Sequence, residues 1–265
     1  MKHLTSRQNP WVAAYRAVAD GRDRSRLLVD GTHLLEEALD AGVSLTHVVV
    51  AADAMGTPDV EAIVSRVART AAELCSASSA VMSVLSPVRS ASPIVALATR
   101  PSTSETVLIA DRPALVVCAV DLQDPGNVGA IIRVAEAGGA AGVAIAGQSA
   151  DPFGWKALRG AMGSAFRLPL QHPCDPDRLV ADVRRQGGHV YATAPRGGMA
   201  PERADLTGLT LLLIGGEGPG LPSTLVATAD ACLSVPMTAP VESLNAAVCT
   251  ALLVYEARRQ RAAVR

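Results

Sequence analysis

The run Asp121-Leu122-Gln123-Asp124-Pro125-Gly126-Asn127-Val128-Gly129-Ala130-Ile131-Ile132-Arg133 carries an amide and a guanidinium where an apolar strand passes through a turn into a helix. Ligand clefts in open α/β sheets lie at such strand ends. Arg133 is the only charge between Asp124 and Glu136. Its guanidinium therefore either reaches solvent along its aliphatic stem or meets a buried anionic or polar partner. Asn127, taken alone, reads equally well as a helix N-cap.

A second segment, Gly215-Gly216-Glu217-Gly218-Pro219-Gly220-Leu221, follows the apolar strand Leu211 to Ile214. Missing side chains there let a ligand approach the backbone, although a plain strand-to-loop turn has the same composition. Leu221 and Ser223 occupy the places where a third glycine of G-x-G-x-x-G would fall, and no G-x-x-x-x-G-K-[ST] loop exists. Dinucleotide redox chemistry and nucleoside triphosphate chemistry are thereby disfavoured. A third segment is Val235-Pro236-Met237, followed by Glu242-Ser243-Leu244-Asn245 at the start of the last helix. In isolation Ser243 reads as a cap and Asn245 as a surface residue.

The elements that must hold these segments alternate between strand and helix. Trp11 to Ala19, His33 to Ala41 and Pro58 to Leu74 are predicted helical, the last from Val60, Ile63, Val64, Val67 and Ala71 at helical spacing. Arg26 to Val29, Thr46 to Ala51 and Ile94 to Ala98 are predicted extended, and Thr99 to Glu105 is the best linker. A small α/β domain over residues 1–105 follows. The second domain, residues 106–265, has strands at Ala114 to Val120, Val143 to Ala146, His189 to Thr193, Leu209 to Ile214 and near Leu233 to Val235. Helices are expected from near Val128 to Gly138-Gly139, from Pro176 to Gln186, and from Ser243 to Arg261 with Leu244, Ala247, Val248, Ala251, Leu252 and Tyr255 as its apolar face. Such a succession means a largely parallel sheet covered on both faces.

Composition narrows the function. The chain has 265 residues, 49% of them hydrophobic, and a net charge of -1 that does not advertise nucleic-acid binding. Both ends are nevertheless basic: Lys2, Arg7, Arg16, Arg22, Arg24 and Arg26 stand against Asp20 and Asp23, and Arg258, Arg259, Arg261 and Arg265 close the chain. A solvated face and favourable cations at a helix end explain such clusters as readily as a phosphate site. Five scattered cysteines and five histidines show no disulfide framework and no metal-ligand spacing. Cys118 and Cys249 read as packing residues. No apolar run spans a bilayer, so a reduced cytoplasmic protein without membrane or metal is expected.

Taken in order, Asn127 with Arg133, the Gly215 to Gly220 turn, and Val235-Pro236-Met237 with Ser243-Leu244-Asn245 resemble the three signature motifs of the SpoU (TrmH-type) RNA methyltransferases of the SPOUT superfamily. Arg159-Gly160-Ala161-Met162-Gly163-Ser164-Ala165-Phe166-Arg167-Leu168-Pro169 resembles a further family stretch, with Ala161 where a Ser is common. Ser6-Arg7-Gln8-Asn9-Pro10 and Leu28-Val29-Asp30-Gly31-Thr32-His33-Leu34-Leu35-Glu36-Glu37-Ala38 look like the ribosomal-protein-like RNA-binding domain of many members. The resemblance implies a C-terminal SPOUT domain with a parallel sheet and a deep trefoil knot, an arrangement that general topology rules disfavour. It implies S-adenosylmethionine held near Ile214, Gly215, Gly216, Val235, Met237 and Leu244, and a homodimer that completes the active site.

The implied activity is 2'-O-ribose methylation of structured RNA, with large-subunit ribosomal RNA favoured over transfer RNA. A non-catalytic RNA-binding or ribosome-assembly factor is the competing class, which the survival of Asn127, Arg133, Glu217, Ser243 and Asn245 disfavours. Because a guanidinium holds its proton far above neutral pH and is a poor base, Arg133 is expected to position and stabilise the reacting ribose, with Asn127, Glu217, Ser243 and Asn245 holding guanidinium and substrate.

Overall fold

The computed structural model describes residues 1–101, 107–109 and 114–264, which cluster into two compact units. The first comprises Met1–Ser102 together with Phe153–Phe166, and the second Thr103–Pro152 with Arg167–Arg265. Most of the expected linker, residues 102–105, lies outside the described residues.

In the first unit the chain runs β1 (Lys2–Leu4), α1 (Pro10–Ala19), β2 (Arg26–Asp30), α2 (Thr32–Asp40), β3 (Leu45–Ala51), α3 (Pro58–Val67), β4 (Glu73–Ala77), α4 (Ser79–Leu85) and β5 (Ile94–Thr99). The sheet order is β1-β4-β3-β5-β2, with β5 antiparallel to both its neighbours and the β1, β4 and β3 pairings parallel. The long helix expected from Pro58 to Leu74 stops at Val67, and Glu73 and Leu74 open β4 instead. Thr70 makes the break: its hydroxyl donates to the Val67 carbonyl at 2.7 Å and accepts from the Ala72 N–H at 3.2 Å. A side chain that serves the backbone in this way competes with helix propagation.

The basic cluster near the N-terminus is partly spent internally. Arg22 pairs with Asp20 at 2.9 Å and Arg26 with Asp23 at 2.7 Å. Asp30 is only 4% exposed. It accepts from Ser86 Oγ at 2.7 Å, Ser92 Oγ at 3.0 Å and Arg159 Nη1 at 2.9 Å, which ties the helix Trp155–Ala161 to β2. A buried carboxylate is tolerable only with such partners.

In the second unit the order is β6 (Leu115–Val120), α5 (Pro125–Gly138) and β7 (Gly142–Ala146); α6 (Trp155–Ala161) and all but the last residue of α7 (Ser164–Arg167) come next in the chain and belong to the first unit. The chain continues as β8 (Leu170–Cys174), α8 (Pro176–Arg185), β9 (His189–Thr193), β10 (Thr210–Gly215), α9 (Ser223–Val226), β11 (Ala231–Leu233) and α10 (Ala246–Ala263). All strands pair in parallel in the order β11-β9-β10-β6-β7-β8. Strands β6 and β10 at the centre are almost wholly buried, as their uninterrupted apolar sequences require. The chain moves outward from β6 through β7 to β8, then resumes at β9 and β10 on the other side of β6. That reversal puts a switch point, the usual place for a ligand, between the C-terminal ends of β6 and β10.

Two boundaries differ from expectation near the site. β11 covers Ala231–Leu233, which leaves Val235 in the following loop, and α10 begins at Ala246 because Asn245 is its cap. The expected apolar face of α10 also divides. Ala246, Ala247, Thr250, Leu253, Val254 and Ala257 are buried, whereas Val248, Leu252 and Tyr255 are about half exposed. The buried side packs on α5, where Val254 fills the space that a side chain at Gly138 would need. The C-terminal arginines serve this docking: Arg261 donates to the Leu206, Gly208 and Ala114 carbonyls at 2.8, 2.6 and 3.2 Å, and Arg258 to that of Ala137 at 3.2 Å.

Replacing Asp30 by Ala strands three donors, one of them cationic, and the expected loss of stability is about 3 kcal/mol. Urea unfolding followed by circular dichroism measures it, and an unchanged midpoint would show that the cluster contributes nothing.

Candidate active site

At the end of β6 the backbone turns sharply. Asp121 adopts a left-handed conformation with φ of 57°, which Asp tolerates better than most residues. Its carboxylate holds the turn by accepting from the Gln148 N–H at 2.8 Å, while Ser149 Oγ accepts from the Leu122 N–H at 2.9 Å. Asp124 then caps α5 by accepting from the Gly126 N–H at 2.8 Å, and Pro125 takes the first helical position. Asn127 is therefore not the cap; it sits in the first turn with its amide free for other partners.

The turn after β10 fits against this one backbone to backbone. A side chain at Gly216 would run into the Asp121 carbonyl, and one at Gly215 would come within 2.7 Å of the Gly220 backbone and 2.6 Å of the Leu221 nitrogen. Gly218 and Gly220 have φ of 89° and 71°, values that favour glycine. The glycines expected to make room for a ligand are required first by the chain itself.

This packing brings the polar residues of three segments together. Asn127 Nδ2 donates to Glu217 Oε1, and Asn245 Nδ2 donates to Asn127 Oδ1 at 2.9 Å. The other end of the Asn245 amide caps α10, with Oδ1 accepting from the Ala247 and Val248 N–H groups at 2.9 and 3.2 Å. Ser243, the cap expected from sequence, lies in the loop before it. Asn and Ser cap equally well, so composition alone does not choose between them.

Beside this network is a cavity of about 310 Å³. Ile214, Gly215, Gly216, Val235, Met237 and Leu244, the residues assigned to a cofactor, all line it, as do Glu217, Ser243 and Asn245. Asn127 reaches it through its two partners. Arg133 does not line it. Arg133 is exposed on α5 and makes no hydrogen bond or ion pair with the described residues, which decides between its two readings in favour of solvent within a single chain.

The walls also contain Thr193, Ala194, Pro195 and Ala246, which the sequence motifs do not mark, and Cys249. The available signal for Thr193 was its place at the C-terminal end of a strand beside β10. Its hydroxyl joins the two strands, donating to the Leu213 carbonyl at 3.0 Å. Cys249, expected to be a packing residue, is partly buried and faces the cavity; burial pushes its thiol up, so it is no ready nucleophile.

The lining discriminates among ligands. Among the described residues the Glu217 carboxylate is its only charged side chain, and no Lys, Arg or His joins it. A phosphate-bearing nucleotide finds no counter-charge there, whereas a ligand with an apolar body, an adenine for backbone groups to read and a positive sulfonium fits. Among the described residues no cluster of His, Cys, Asp and Glu is placed to hold a metal ion.

Comparison with known proteins agrees with this chemistry. The sequence model of the SpoU rRNA Methylase family matches residues 114–255. The chain belongs to that family. It is 31% identical over 97% of its length to the whole of a Bacillus subtilis protein named 23S rRNA (guanosine(2553)-2'-O)-methyltransferase RlmP. Among solved structures, an AdoMet-bound rRNA methyltransferase from Sinorhizobium meliloti superposes with a TM-score of 0.84 at 29% identity, with 97% of both chains covered. The SpoU methyltransferase AviRb from Streptomyces viridochromogenes, in complex with the cofactor AdoMet, superposes with a TM-score of 0.88 at 26% identity, covering 97% of this chain and all of that one. The fold is thus that of a SpoU methyltransferase, and S-adenosylmethionine is the family's cofactor.

A methyl group added at Gly216 must push the two turns apart. Gly216→Ala is expected to cost about 2 kcal/mol by overpacking and to weaken S-adenosylmethionine binding in titration calorimetry by more than that loss explains. Unchanged cofactor affinity would mean that the turns can separate without disturbing the cavity.

Proposed function

We propose that this protein transfers the methyl group of S-adenosylmethionine to a ribose 2'-hydroxyl of large-subunit ribosomal RNA, in the cytoplasm and as a homodimer. One observation carries the reading: the Asn127, Glu217 and Asn245 chain of hydrogen bonds shares a wall with a cavity whose sole charge suits a sulfonium. Homology to a protein named as a 23S rRNA 2'-O-methyltransferase over the full length supplies the substrate class.

When bound, S-adenosylmethionine supplies an electrophilic methyl carbon, which the ribose oxygen takes by in-line displacement as the carbon–sulfur bond breaks. Ile214, Val235, Met237 and Leu244 would enclose its apolar parts, and backbone groups of the Gly215 to Gly220 turn would read the adenine. The Glu217 carboxylate, on the cavity wall, would supply the negative charge that suits its sulfonium. Asn127 is locked by a bond at each end of its amide, so it presents one fixed face to the substrate. Ser243 and Asn245 flank the approach of the ribose, and Arg133 stabilises the oxygen as its proton leaves to water or to a phosphate oxygen of the RNA.

Arg133 needs a second chain to do this. It projects from α5, the helix on which α10 packs, and α10 exposes Val248, Leu252 and Tyr255 at i, i+4 and i+7. An apolar stripe of that spacing is what a helix offers to another helix. Pairing of two such stripes would bring Arg133 into contact with a second copy and exclude water from groups that are exposed in one chain. The segment after β11 would be threaded as the family's knot requires.

In a tritiated-methyl assay on unmodified 23S ribosomal RNA, the wild type is expected to label ribose 2'-oxygens. Arg133→Ala is expected to abolish labelling while cofactor binding stays within about twofold, as befits a group that acts on the transition state. Full turnover by that variant would sink the role given to Arg133. Leu252→Glu is expected to yield monomers in analytical ultracentrifugation and to lose activity; an active monomer would refute the dimeric site.

A further inference from the structure

Arg196 lies just past the wall of the cavity. It follows Thr193-Ala194-Pro195, all three of which line the cavity, and its Nη2 lies 3.5 Å from the carbonyl of Val241, in the loop between the lining residues Met237 and Ser243. Its base is firmly held. The Gly198 N–H donates to Ser234 Oγ at 2.9 Å, the Met199 N–H to the Cys232 carbonyl at 2.8 Å, and the Ser234 N–H returns to the Met199 carbonyl at 3.0 Å. The loop thus continues the edge of the sheet beyond β11, and Arg196 is exposed on it.

A guanidinium has five donors, and here a single long bond to a carbonyl uses one. No carboxylate among the described residues pairs with it. Several other arginines of this unit are engaged: Arg184 pairs with Asp230, Arg185 with Asp182 and Arg259 with Glu256, while Arg261 holds three carbonyls; Arg133, exposed on α5, does not line the cavity. Arg196 therefore leaves an uncompensated positive charge at the mouth of a cavity whose own lining is acidic.

The geometry points to Arg196 as the residue that grips a phosphodiester of the substrate RNA at the rim of the active site, a positioning role that rests on the function proposed above. The chemistry of the substrate supplies the anion. A ribose 2'-oxygen is the neighbour of the 3'-phosphodiester on the same sugar, so presenting that hydroxyl to the cavity necessarily carries a phosphate to its mouth. The cofactor's carboxylate is the other anion that could reach the rim. Arg196 is assigned to the RNA because it is exposed and stands outside the lining. By spanning two lining loops, it also couples RNA docking to the placement of Ser243, two residues beyond Val241.

Filter binding of unmodified 23S ribosomal RNA, repeated over a series of salt concentrations, tests this directly with Arg196→Gln, Arg196→Lys and Arg196→Ala. Gln keeps a polar amide on a shorter stem but has no charge; Lys keeps the charge and loses the fork. The expected result for Gln and Ala is RNA affinity about tenfold weaker and a log–log salt slope smaller by about one. Lys should retain the slope and much of the affinity. Cofactor affinity by calorimetry is expected to stay unchanged in all three, and the KM for RNA to rise with kcat held within about twofold. Arg196→Gln with wild-type affinity and slope would overturn the proposal, and so would a loss of cofactor affinity comparable to the loss for RNA. Because binding and salt slope are read without turnover, failure of methyl transfer in the wild type would strike the proposed function and leave the role of Arg196 separately decided.

Discussion

The contact between the Asp121 carbonyl and Gly216 governs the site. Two strands that neighbour each other in a parallel sheet end at the same level, and their turns must share one small volume. Only a bare α-carbon at position 216 and a left-handed Asp at 121 allow it. Once the turns are seated, Glu217 is delivered to Asn127 and the cavity opens beside them. The site is built by main-chain fit at the centre of the sheet, and its side chains inherit their places from that fit.

Much of this architecture was legible in the sequence. Strands buried on both faces read as unbroken apolar runs, and His189–Thr193 was read to the residue. Gly139 ends α5 in a left-handed conformation, as the Gly138-Gly139 pair suggested. What escaped is also instructive. β4 is short, contains Ser76 and follows a helix with neither Pro nor Gly between them, so helical periodicity ran through it. Phe153–Phe166 joins the first unit through contacts far apart in the chain, among them Arg159 with Asp30 and Trp155 on the apolar core, which no local pattern reveals.

At the site, sequence motifs named residue types without fixing their jobs. Asn127 looked like a cap and is a bridge, while Asn245 looked like a surface amide and is a cap. Thr193 was overlooked because a threonine in a strand is ordinary. Arg133 drew notice as a charge among apolar neighbours, and the helix simply turns it outward. The polar groups of one chain are largely open to water, where charges are weakly felt. Their strength therefore depends on how far water is excluded from them.

The two ends of the Asn245 side chain serve different masters, one closing α10 and the other steadying Asn127. Few replacements satisfy both. Aspartate and serine can close a helix but cannot donate as an amide does, and glutamine has the amide on a longer stem. Position 245 is thus hemmed in by two independent demands that no single substitution readily meets together. Drift toward a new activity has easier routes through the loops around the cavity than through the residue at the head of the last helix.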